Sequence, residues 1–301
     1  MSTLTKGPTV SKQHRRRLTQ FLHIPKAWRG PLAITGSVVI VLWILVAIFA
    51  PLIEPTNPLT QSSDTLRPPS SAHWFGTDEL GRDILSRVVA GARVSIPWPI
   101  ALVAVSMTVG TILGMIAGYF GKAVDEIIMR LTDLVLAFPS VILAMIIVAA
   151  TGPGIRHAVI AILLVSWPQY TRIARSLVLG TRNREFVIAG RLMGFSWHRS
   201  LRKDILPNVI SPILVLATLD FGNQILALAG LSFLGLGAIP PEAEWGSMTS
   251  DGVQYISSWW MATFPALAIF TVVVAFNLIG DAVRDALDPR MQETISESGA
   301  L

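Results

Sequence analysis

Residues 31–53 read PLAITGSVVIVLWILVAIFAPLI, an apolar run without a charged side chain. A helix of about 20 apolar residues crosses the hydrocarbon layer of a bilayer, so this run predicts a membrane-spanning helix. The whole chain has the same character, with 52% hydrophobic and 14% charged residues and a mean hydropathy of +0.58. Soluble domains carry about 25% charged residues, so the composition indicates a protein with several membrane spans.

Five further segments are long and apolar enough to cross a bilayer, and with the first they predict an all-α protein with six spans. The predicted spans are Pro31–Ile53, Ser95–Tyr119, Glu126–Ala150, Ala158–Leu179, Val209–Leu231 and Trp260–Ile279. Several prolines fall at or within these spans, and we expect them to begin or break helices. They are Pro97, Pro99, Pro139, Pro168 and Pro265.

The distribution of Lys and Arg predicts the side of the membrane that each loop occupies. Seven of these residues precede the first span, which places the N-terminus in the cytoplasm because cytoplasmic loops are rich in Lys and Arg. Six spans then return the C-terminus to the cytoplasm. With this topology, 19 of the 24 Lys and Arg lie on the cytoplasmic side, in agreement with the positive-inside rule.

The same topology divides the chain into five parts. They are a cytoplasmic tail (1–30), the first span (31–53), an extracytoplasmic loop (54–94), a domain of five helices (95–283) and a second cytoplasmic tail (284–301). The five-helix domain contains a cytoplasmic loop, segment 180–208, between the fourth and fifth spans. This loop is charged and helix-competent, and it lies between two apolar blocks, so we expect it to contact something soluble.

The extracytoplasmic loop contains a predicted amphipathic helix. Thr77 is placed to cap it, and Asp78 and Glu79 would complement the positive end of its dipole. Apolar residues recur from Leu80 at four-residue spacing, while the arginines at positions 82 and 87 occupy other faces. This pattern predicts a helix that lies at the outer surface of the membrane.

The sequence excludes several kinds of chemistry. It has no cysteine and no H-E-x-x-H pair, and none of its five histidines lies in the middle of a predicted span. A phosphate-binding loop requires G-x-x-x-x-G-K-[ST], and the one Gly-Lys pair, Gly121-Lys122, lacks both the first glycine and the hydroxyl. We therefore expect no catalytic residue, metal site or cofactor, and we attribute the basic pI to cytoplasmic loops rather than to a nucleic-acid partner.

Two features of the predicted second and third spans allow more than one interpretation. Gly110, Gly114 and Gly118 repeat at four-residue spacing, which permits close helix approach in lipid. They would pack helices within one subunit, or form a subunit interface or a surface that slides during a conformational change. In the third span, Arg130 and Asp133 are spaced to form an ion pair on one helix face.

The fifth predicted span carries Asp220, Asn223 and Gln224 near its middle. A carboxylate inside a membrane is costly unless it faces water or a partner. These side chains therefore either line a polar pathway or satisfy a neighbouring helix, and the spacing does not separate the two. Asp220 is also the one candidate ion ligand for an ion-driven secondary transporter, the alternative class for this chain.

Segment 180–208 carries a recognisable motif. Ala189, Gly194 and Leu206-Pro207 stand at the spacing of E-A-A-x3-G-x9-I-x-L-P, so the segment resembles the membrane subunits of bacterial ABC importers. The chain departs from this motif by Ile188 in place of Glu and by Gly190 in place of the second Ala. Asp204 also stands where relatives often have His, and Leu228 stands where the fifth helix of relatives often has Glu.

Four further stretches resemble one branch of these importers. They are HWFGTDELGRDILSRVVAGARVS (73–95), MRLTDLVLAFPSVILA (129–144), LSFLGLGAIPPEAEWGSM (231–248) and FNLIGDAVRDALDPR (276–290). From about residue 25 to residue 292, the chain is similar to the C-type subunit of the dipeptide/oligopeptide/nickel permease family. The resemblance implies a six-helix type I ABC importer permease in the bacterial inner membrane, with peptide as cargo. A nickel or metal-chelate cargo stays open.

The resemblance also implies partners and contact residues. Half of the translocation pathway would come from a second homologous permease, two ATPase subunits would hydrolyse ATP, and an extracytoplasmic binding protein would deliver cargo. The ATPase would contact a short coupling helix formed by Ile188, Ala189, Gly190, Arg191, Leu192, Met193, Gly194, Phe195 and Ser196, together with Leu206 and Pro207. The binding protein would face Asp78, Arg82, Asp83, Arg87, Pro241, Glu244 and Trp245.

Overall fold

The computed structural model describes residues 30–287, and this part of the chain is helical, without a β-strand beyond a single bridge between Thr77 and Asp83. The all-α prediction is therefore confirmed. The longer helices are α1 (Pro31–Ile53), α2 (Ile84–Ser95), α3 (Pro97–Phe120), α4 (Lys122–Leu136), α5 (Ser140–Thr151), α6 (Ile155–Thr181), α7 (Glu185–Leu192), α8 (Leu206–Phe233), α9 (Trp245–Val253) and α10 (Trp260–Leu287). The predicted tails 1–30 and 284–301 lie outside the described residues, except that Gly30 precedes α1 and residues 284–287 extend α10.

Four helical runs in residues 30–287 are long and apolar enough to cross a membrane, and a fifth is formed if one bent pair counts as a single span. The four runs are Pro31–Ile53, Ile84–Phe120, Trp197–Phe233 and Trp260–Ala286. Helix α6 contains the predicted fourth span, but it is more polar, because its second half includes Gln169, Arg172 and Arg175. The count of six spans and the cytoplasmic position of both termini therefore stay predictions.

The predicted third span, Glu126–Ala150, is not one helix. The chain forms α4 and α5 instead, and their axes differ in direction by 85°. Pro139 lies at the break with ψ 123°, and it lacks the N–H that a continuous helix would use. The residue before a proline also avoids the α region, which ends α4 before Phe138. The prediction of one continuous helix over Glu126–Ala150 was wrong, although Pro139 was among the residues expected to interrupt a helix.

The other prolines divide into two groups. Pro97 and Pro99 lie in the first turn of α3, where a missing N–H costs no hydrogen bond. Pro168 and Pro265 lie inside α6 and α10, so the expectation that they begin or break helices was wrong. Membrane-type helices keep internal prolines where neighbouring helices hold the helix together, and Pro168 is buried in this way.

Helix α8 is the central element of the described bundle, because it contributes to all three buried clusters. Phe221 and Ile225 pack with α2, α9 and α10 in the first cluster. Leu228 and Leu231 pack with α3, α5 and α6 in the second, and Ile213 packs with α6 near the start of α8 in the third. Residues on α8 are therefore positioned by most of the surrounding helices.

The glycines of α3 pack against α6 within the same chain. A Cβ on Gly110 would lie 2.5 Å from the carbonyl O of Trp167, and one on Gly114 would lie 2.4 Å from the carbonyl O of Thr171. A Cβ on Gly118 would lie 2.8 Å from the Cβ of Val178. Of the two interpretations open in the sequence, the geometry therefore favours packing inside one subunit over a subunit interface.

We expect Gly114→Ala to destabilise the subunit, because the added methyl group meets the backbone of α6 and the two helices have to separate. Overpacking of this kind costs about 1–3 kcal/mol. Thermal unfolding of the purified protein in detergent measures the effect. Gly180→Ala is the matched control, since a Cβ at Gly180 meets nothing within 4 Å. Equal unfolding midpoints for the two variants would contradict the close approach of α3 and α6.

Candidate functional site

A polar cavity of about 470 Å³ lies among α4, α5, α6 and α8. Most of its wall is apolar, as expected for the interior of a helix bundle, and the name polar cavity refers to the six polar residues of its described lining. Its polar lining residues are Ser140, Ser166, Gln169, Asp220, Asn223 and Gln224. Cavities of several hundred cubic ångströms with a few converging polar groups are the usual form of small-molecule sites, so this is the candidate pathway through the subunit.

Asp220 is the centre of a buried hydrogen-bond network on one side of this cavity. Its side chain is 4% exposed. The Tyr170 hydroxyl donates to Oδ2 of Asp220 at 2.8 Å, and Nε2 of Gln224 donates to the same oxygen at 3.0 Å. Ser166 in turn lies 3.3 Å from Nε2 of Gln224. Hydrogen bonds to a carboxylate are stronger than those between neutral groups, so Tyr170 and Gln224 hold Asp220 in one orientation.

The three residues predicted on the fifth span have different environments. Asp220 and Gln224 are buried and joined to α6, which corresponds to the interpretation that they satisfy a neighbouring helix. Asn223 is exposed, and all three residues line the cavity, which corresponds to the interpretation as a polar pathway. The two alternatives are therefore compatible, because the same face of α8 hydrogen-bonds to α6 and lines the cavity.

Sequence reasoning missed the contribution of α6 to this site. Ser166, Gln169 and Tyr170 come from α6, and none of them was a candidate. A signal was present, since these polar side chains interrupt the apolar pattern of the predicted fourth span within five residues. What the sequence does not contain is the pairing of Tyr170 with Asp220, which lie 50 residues apart in the chain.

Segment 180–208 begins with the end of α6, followed by α7 and a sharp turn. Gly194 has φ +80°, a left-handed conformation that favours glycine. Its N–H donates to the Arg191 carbonyl at 2.9 Å, and the Phe195 N–H donates to the Gly190 carbonyl at 3.0 Å. These two bonds form a Schellman motif, which satisfies the last carbonyl groups of α7 and fixes the turn. Gly194 therefore makes the sharp turn at the end of α7 possible.

The surface formed by residues 188–196 is mostly exposed and partly apolar. Leu192 is 84% exposed and Met193 is 69% exposed. Ile188, Ala189, Arg191, Gly194 and Ser196 are also exposed, whereas Gly190 is buried and Phe195 is half-buried. Leu206 is half-buried and Pro207 is exposed. An apolar patch of this kind on a helix end is typical of a surface that binds another protein.

This surface is anchored to the C-terminal end of α3. The guanidinium of Arg191 lies 4.7 Å from the centre of the Tyr119 ring, and the Trp197 ring meets the Phe120 ring edge-on at 5.4 Å. Nη1 of Arg182 donates to the Gly118 carbonyl at 2.7 Å. A displacement of the 188–196 surface would therefore be transmitted to α3.

Directly after this surface, a continuous helical path begins at Trp197 and leads into α8. Trp197–Arg199 form a helical turn, residues Ser200–Ile205 form a π-helical stretch, and α8 follows from Leu206. The resulting run from Trp197 to Phe233 has 37 residues. Pro207 lies within this run and does not end the helix, although proline normally interrupts an α-helix. A π-helical turn accommodates the missing N–H and the bulk of the proline ring, which would clash with the carbonyl of residue 203 in an α-helix.

The predicted outer helix begins later than expected. Thr77 does not cap it, because its hydroxyl accepts from the Arg67 N–H at 2.9 Å and is therefore committed to the preceding loop. Residues 78–83 form a turn in which Gly81 has φ +72°. Helix α2 begins at Ile84, and Asp83 caps it by accepting from the Ser86 N–H at 2.8 Å. Asp78 and Glu79 accordingly lie outside the helix.

Charged residues in this region are buried inside the subunit. The Nε of Arg82 donates to Oδ2 of Asp78 at 2.6 Å, and the Nε of Arg87 lies 3.6 Å from the same oxygen. Asp78, Arg82, Asp83 and Arg87 are each no more than 5% exposed. The expectation that Arg82 and Arg87 occupy the polar faces of a surface helix was wrong, because both are buried and pair with Asp78.

Glu244 and Trp245 are also buried, at 1% and 0% exposure. Glu244 caps α9 by accepting from the N–H groups of Gly246 and Ser247, each at 2.9 Å. Burial raises the pKa of the Glu244 carboxyl, and the two backbone N–H groups oppose this shift. Of the seven residues predicted to face a binding protein, Pro241 alone is exposed, so direct contact by the other six is not available in this conformation.

The predicted ion pair between Arg130 and Asp133 is not formed. Nη2 of Arg130 donates to Glu126 at 2.7 Å, and Asp133 accepts from Nη2 of Arg172 on α6 at 2.7 Å. Glu126 stands four residues before Arg130, which is the more favourable spacing and order for a helical ion pair. All four side chains are more than half exposed, so these pairs contribute little to stability.

Two family models match this chain. Residues 110–293 match the family model described as "Binding-protein-dependent transport system inner membrane component". Residues 28–69 match the model described as "N-terminal TM domain of oligopeptide transport permease C". The first match covers most of the predicted domain 95–283, and the second covers α1.

Two named transport proteins and one solved structure are similar to this chain. The dipeptide transport system permease protein DppC of Alkalihalophilus pseudofirmus is 47% identical over 266 residues, which cover 88% of each chain. The protein of the same name from Escherichia coli K12 is 45% identical over 302 residues, which cover 97% of this chain and all of that one. Among solved structures, a chain of the MetNI methionine ABC transporter in an inward-facing conformation aligns with a TM-score of 0.55, covering 68% of this chain and 98% of that one. At 16% identity, this last similarity concerns the fold alone.

Proposed function

Because this chain belongs to the family of binding-protein-dependent transport system inner membrane components, we propose that it is one permease subunit of an ATP-driven importer of dipeptides. Two relatives of 45–47% identity support dipeptide as cargo. Both are named as dipeptide transport permeases, and the alignments cover 88% and 100% of their lengths. The chain itself is a transport subunit of the inner membrane rather than an enzyme.

The observation that carries the proposal is the exposed apolar surface at residues 188–196. Leu192 and Met193 extend into solvent from a helix end that a Schellman motif holds rigid. Exposed Arg191 and Arg199 flank them. This arrangement supports a coupling helix that inserts into an apolar groove of an ATPase subunit, while a second, homologous permease completes the pathway and an extracytoplasmic protein delivers the peptide.

Transport would proceed by alternating access. ATP binding draws the ATPase subunits together and displaces the coupling surface, and the displacement reaches α3 through the aromatic contacts of Tyr119 and Phe120. It reaches α8 through the continuous run from Trp197. Since α8 forms one wall of the polar cavity, its movement changes the access to that cavity. The cycle depends on differential binding between two states and includes no covalent step in this chain.

Reconstitution into vesicles with all partner subunits tests the proposal. We expect uptake of a labelled dipeptide that requires ATP on the side of the ATPase subunits and the binding protein on the opposite side. Dissipation of the proton gradient by an ionophore should leave uptake unchanged. Uptake that persists without the ATPases and stops with the ionophore would establish the ion-driven alternative. Uptake of a nickel chelate, with no uptake of any dipeptide, would overturn the peptide assignment but not the importer class.

A further inference from the structure

Asp220 has an unusual arrangement of partners. Tyr170 and Gln224 both donate to Oδ2, so Oδ1 meets no donor among the described residues. Asp220 is also the one charged residue in the described lining of the 470 Å³ cavity. Asp220 therefore lines the cavity with a carboxylate that is held through Oδ2, while Oδ1 has no donor among the described residues.

An ionised carboxylate is costly inside a membrane protein unless a cation or several donors compensate its charge. Two neutral donors on one oxygen orient the group, but no described residue supplies a counter-ion for its charge. The remaining polar lining consists of hydroxyl and amide groups, which are neutral. A cation with N–H donors, bound beside Oδ1, would compensate this charge.

We propose that Oδ1 of Asp220 binds the terminal ammonium group of the peptide cargo as it passes through the cavity. This inference rests on the proposed function, because a dipeptide supplies the ammonium. The dimensions agree, since an extended dipeptide is about 7 Å long and small-molecule sites occupy about 300–1,000 Å³. Exposed Asn223 and Gln169 line the same cavity and offer amide groups to the peptide bond. Tyr170 and Gln224 act as positioning residues for the carboxylate.

The chain has no native cysteine, which allows a direct test of the local charge. In the assembled transporter, Asn223→Cys places a thiol in the cavity. Its modification rate is measured on this subunit with a cationic trimethylammonium-ethyl methanethiosulfonate and with a neutral hydroxyethyl methanethiosulfonate. We expect Asp220→Asn to lower the ratio of the two rates about tenfold, the size of effect that a unit charge a few ångströms away exerts in a partly shielded site. Asparagine keeps an oxygen to accept from Tyr170, so the network is preserved.

Thr249→Cys is the matched control, because Thr249 lines a second cavity of about 460 Å³ whose described lining includes no charged residue. Its rate ratio should not change with Asp220→Asn. A dipeptide with a free amino group should protect the thiol introduced by Asn223→Cys from the cationic reagent, and the N-acetylated form of the dipeptide should not. An unchanged rate ratio for that thiol, or equal protection by both peptides, would overturn the proposal.

Uptake measurements separate this proposal from the assignment of dipeptide as cargo. We expect Asp220→Asn to reduce uptake of the free dipeptide at least tenfold, while binding of the same peptide to the extracytoplasmic protein and ATP hydrolysis stimulated by that protein stay normal. If the parent transporter imports no dipeptide but the rate ratio still falls with Asp220→Asn, the cargo assignment fails and the cation site stands. If dipeptide uptake is normal and Asp220→Asn leaves it unchanged, the ammonium site fails and the cargo assignment stands.

Discussion

Gly194→Val is expected to reduce transport at least tenfold while leaving the amount of subunit in the membrane unchanged. Gly194 has φ +80°, a conformation that costs a residue with a side chain about 1–2 kcal/mol and a β-branched residue more. The space around it is open, since a Cβ there meets nothing within 4 Å, so the whole effect comes from the backbone. The variant loses the Schellman turn, and the 188–196 surface no longer has the shape that a partner groove requires.

Gly194→Asn is the matched control, because asparagine tolerates the left-handed conformation better than other residues with a side chain. We expect it to retain most of the transport activity. Uptake and binding-protein-stimulated ATP hydrolysis in proteoliposomes measure both variants, and quantitative blotting of membranes measures their abundance. Normal coupling by Gly194→Val would show that the turn is not the docking element. A fall in membrane abundance would instead identify a role in folding.

Trp245→Ala is expected to prevent stable folding rather than to weaken docking of a binding protein. Trp245 is fully buried, its Nε1 donates to the Val88 carbonyl at 2.9 Å, and its ring lies 4.9 Å from that of Trp43. Loss of a large buried aromatic side chain costs about 3–5 kcal/mol, a large part of the stability of most proteins. Membrane yield and thermal unfolding in detergent measure the loss.

Trp74→Ala is the comparison variant, because Trp74 lies on the same extracytoplasmic side of the predicted topology and is 70% exposed. Substitution of an exposed residue changes stability by about 0.5 kcal/mol or less, so its yield should be normal. If Trp245→Ala folded normally and responded poorly to the binding protein, the sequence-based assignment of Trp245 to the docking surface would be restored.

The sequence predicts those parts of the fold that depend on local chemistry. The uncharged run from Pro31 to Ile53 gives α1 with the same bounds, and the glycine at 194 gives the turn after α7. In each case residues close together in the sequence determine the local structure. Hydropathy determines α1, and the backbone conformation of glycine determines the turn. The break at Pro139 belongs to the same class, although its consequence for the third span was underestimated.

The remainder depends on contacts between distant residues. Thr77 and Asp83 are both suitable N-caps, and the choice is made by Arg67, whose N–H engages the Thr77 hydroxyl. Arg82 and Arg87 have the spacing of surface residues, and they are buried because Asp78 pairs with both. The Asp220 carboxylate was visible in the sequence, but Tyr170, which orients it, became part of the site only when α6 packed beside α8.

The uninterrupted run from Trp197 to Phe233 has a mechanical consequence. At about 1.5 Å per residue, the helical path from Trp197 to Asp220 is roughly 35 Å long. A pivot of about 10° near the middle of that length displaces each end by about 3 Å, comparable to the length of a hydrogen bond. A small push on the Trp197 end of this helical run is therefore sufficient to make or break contacts at the carboxylate.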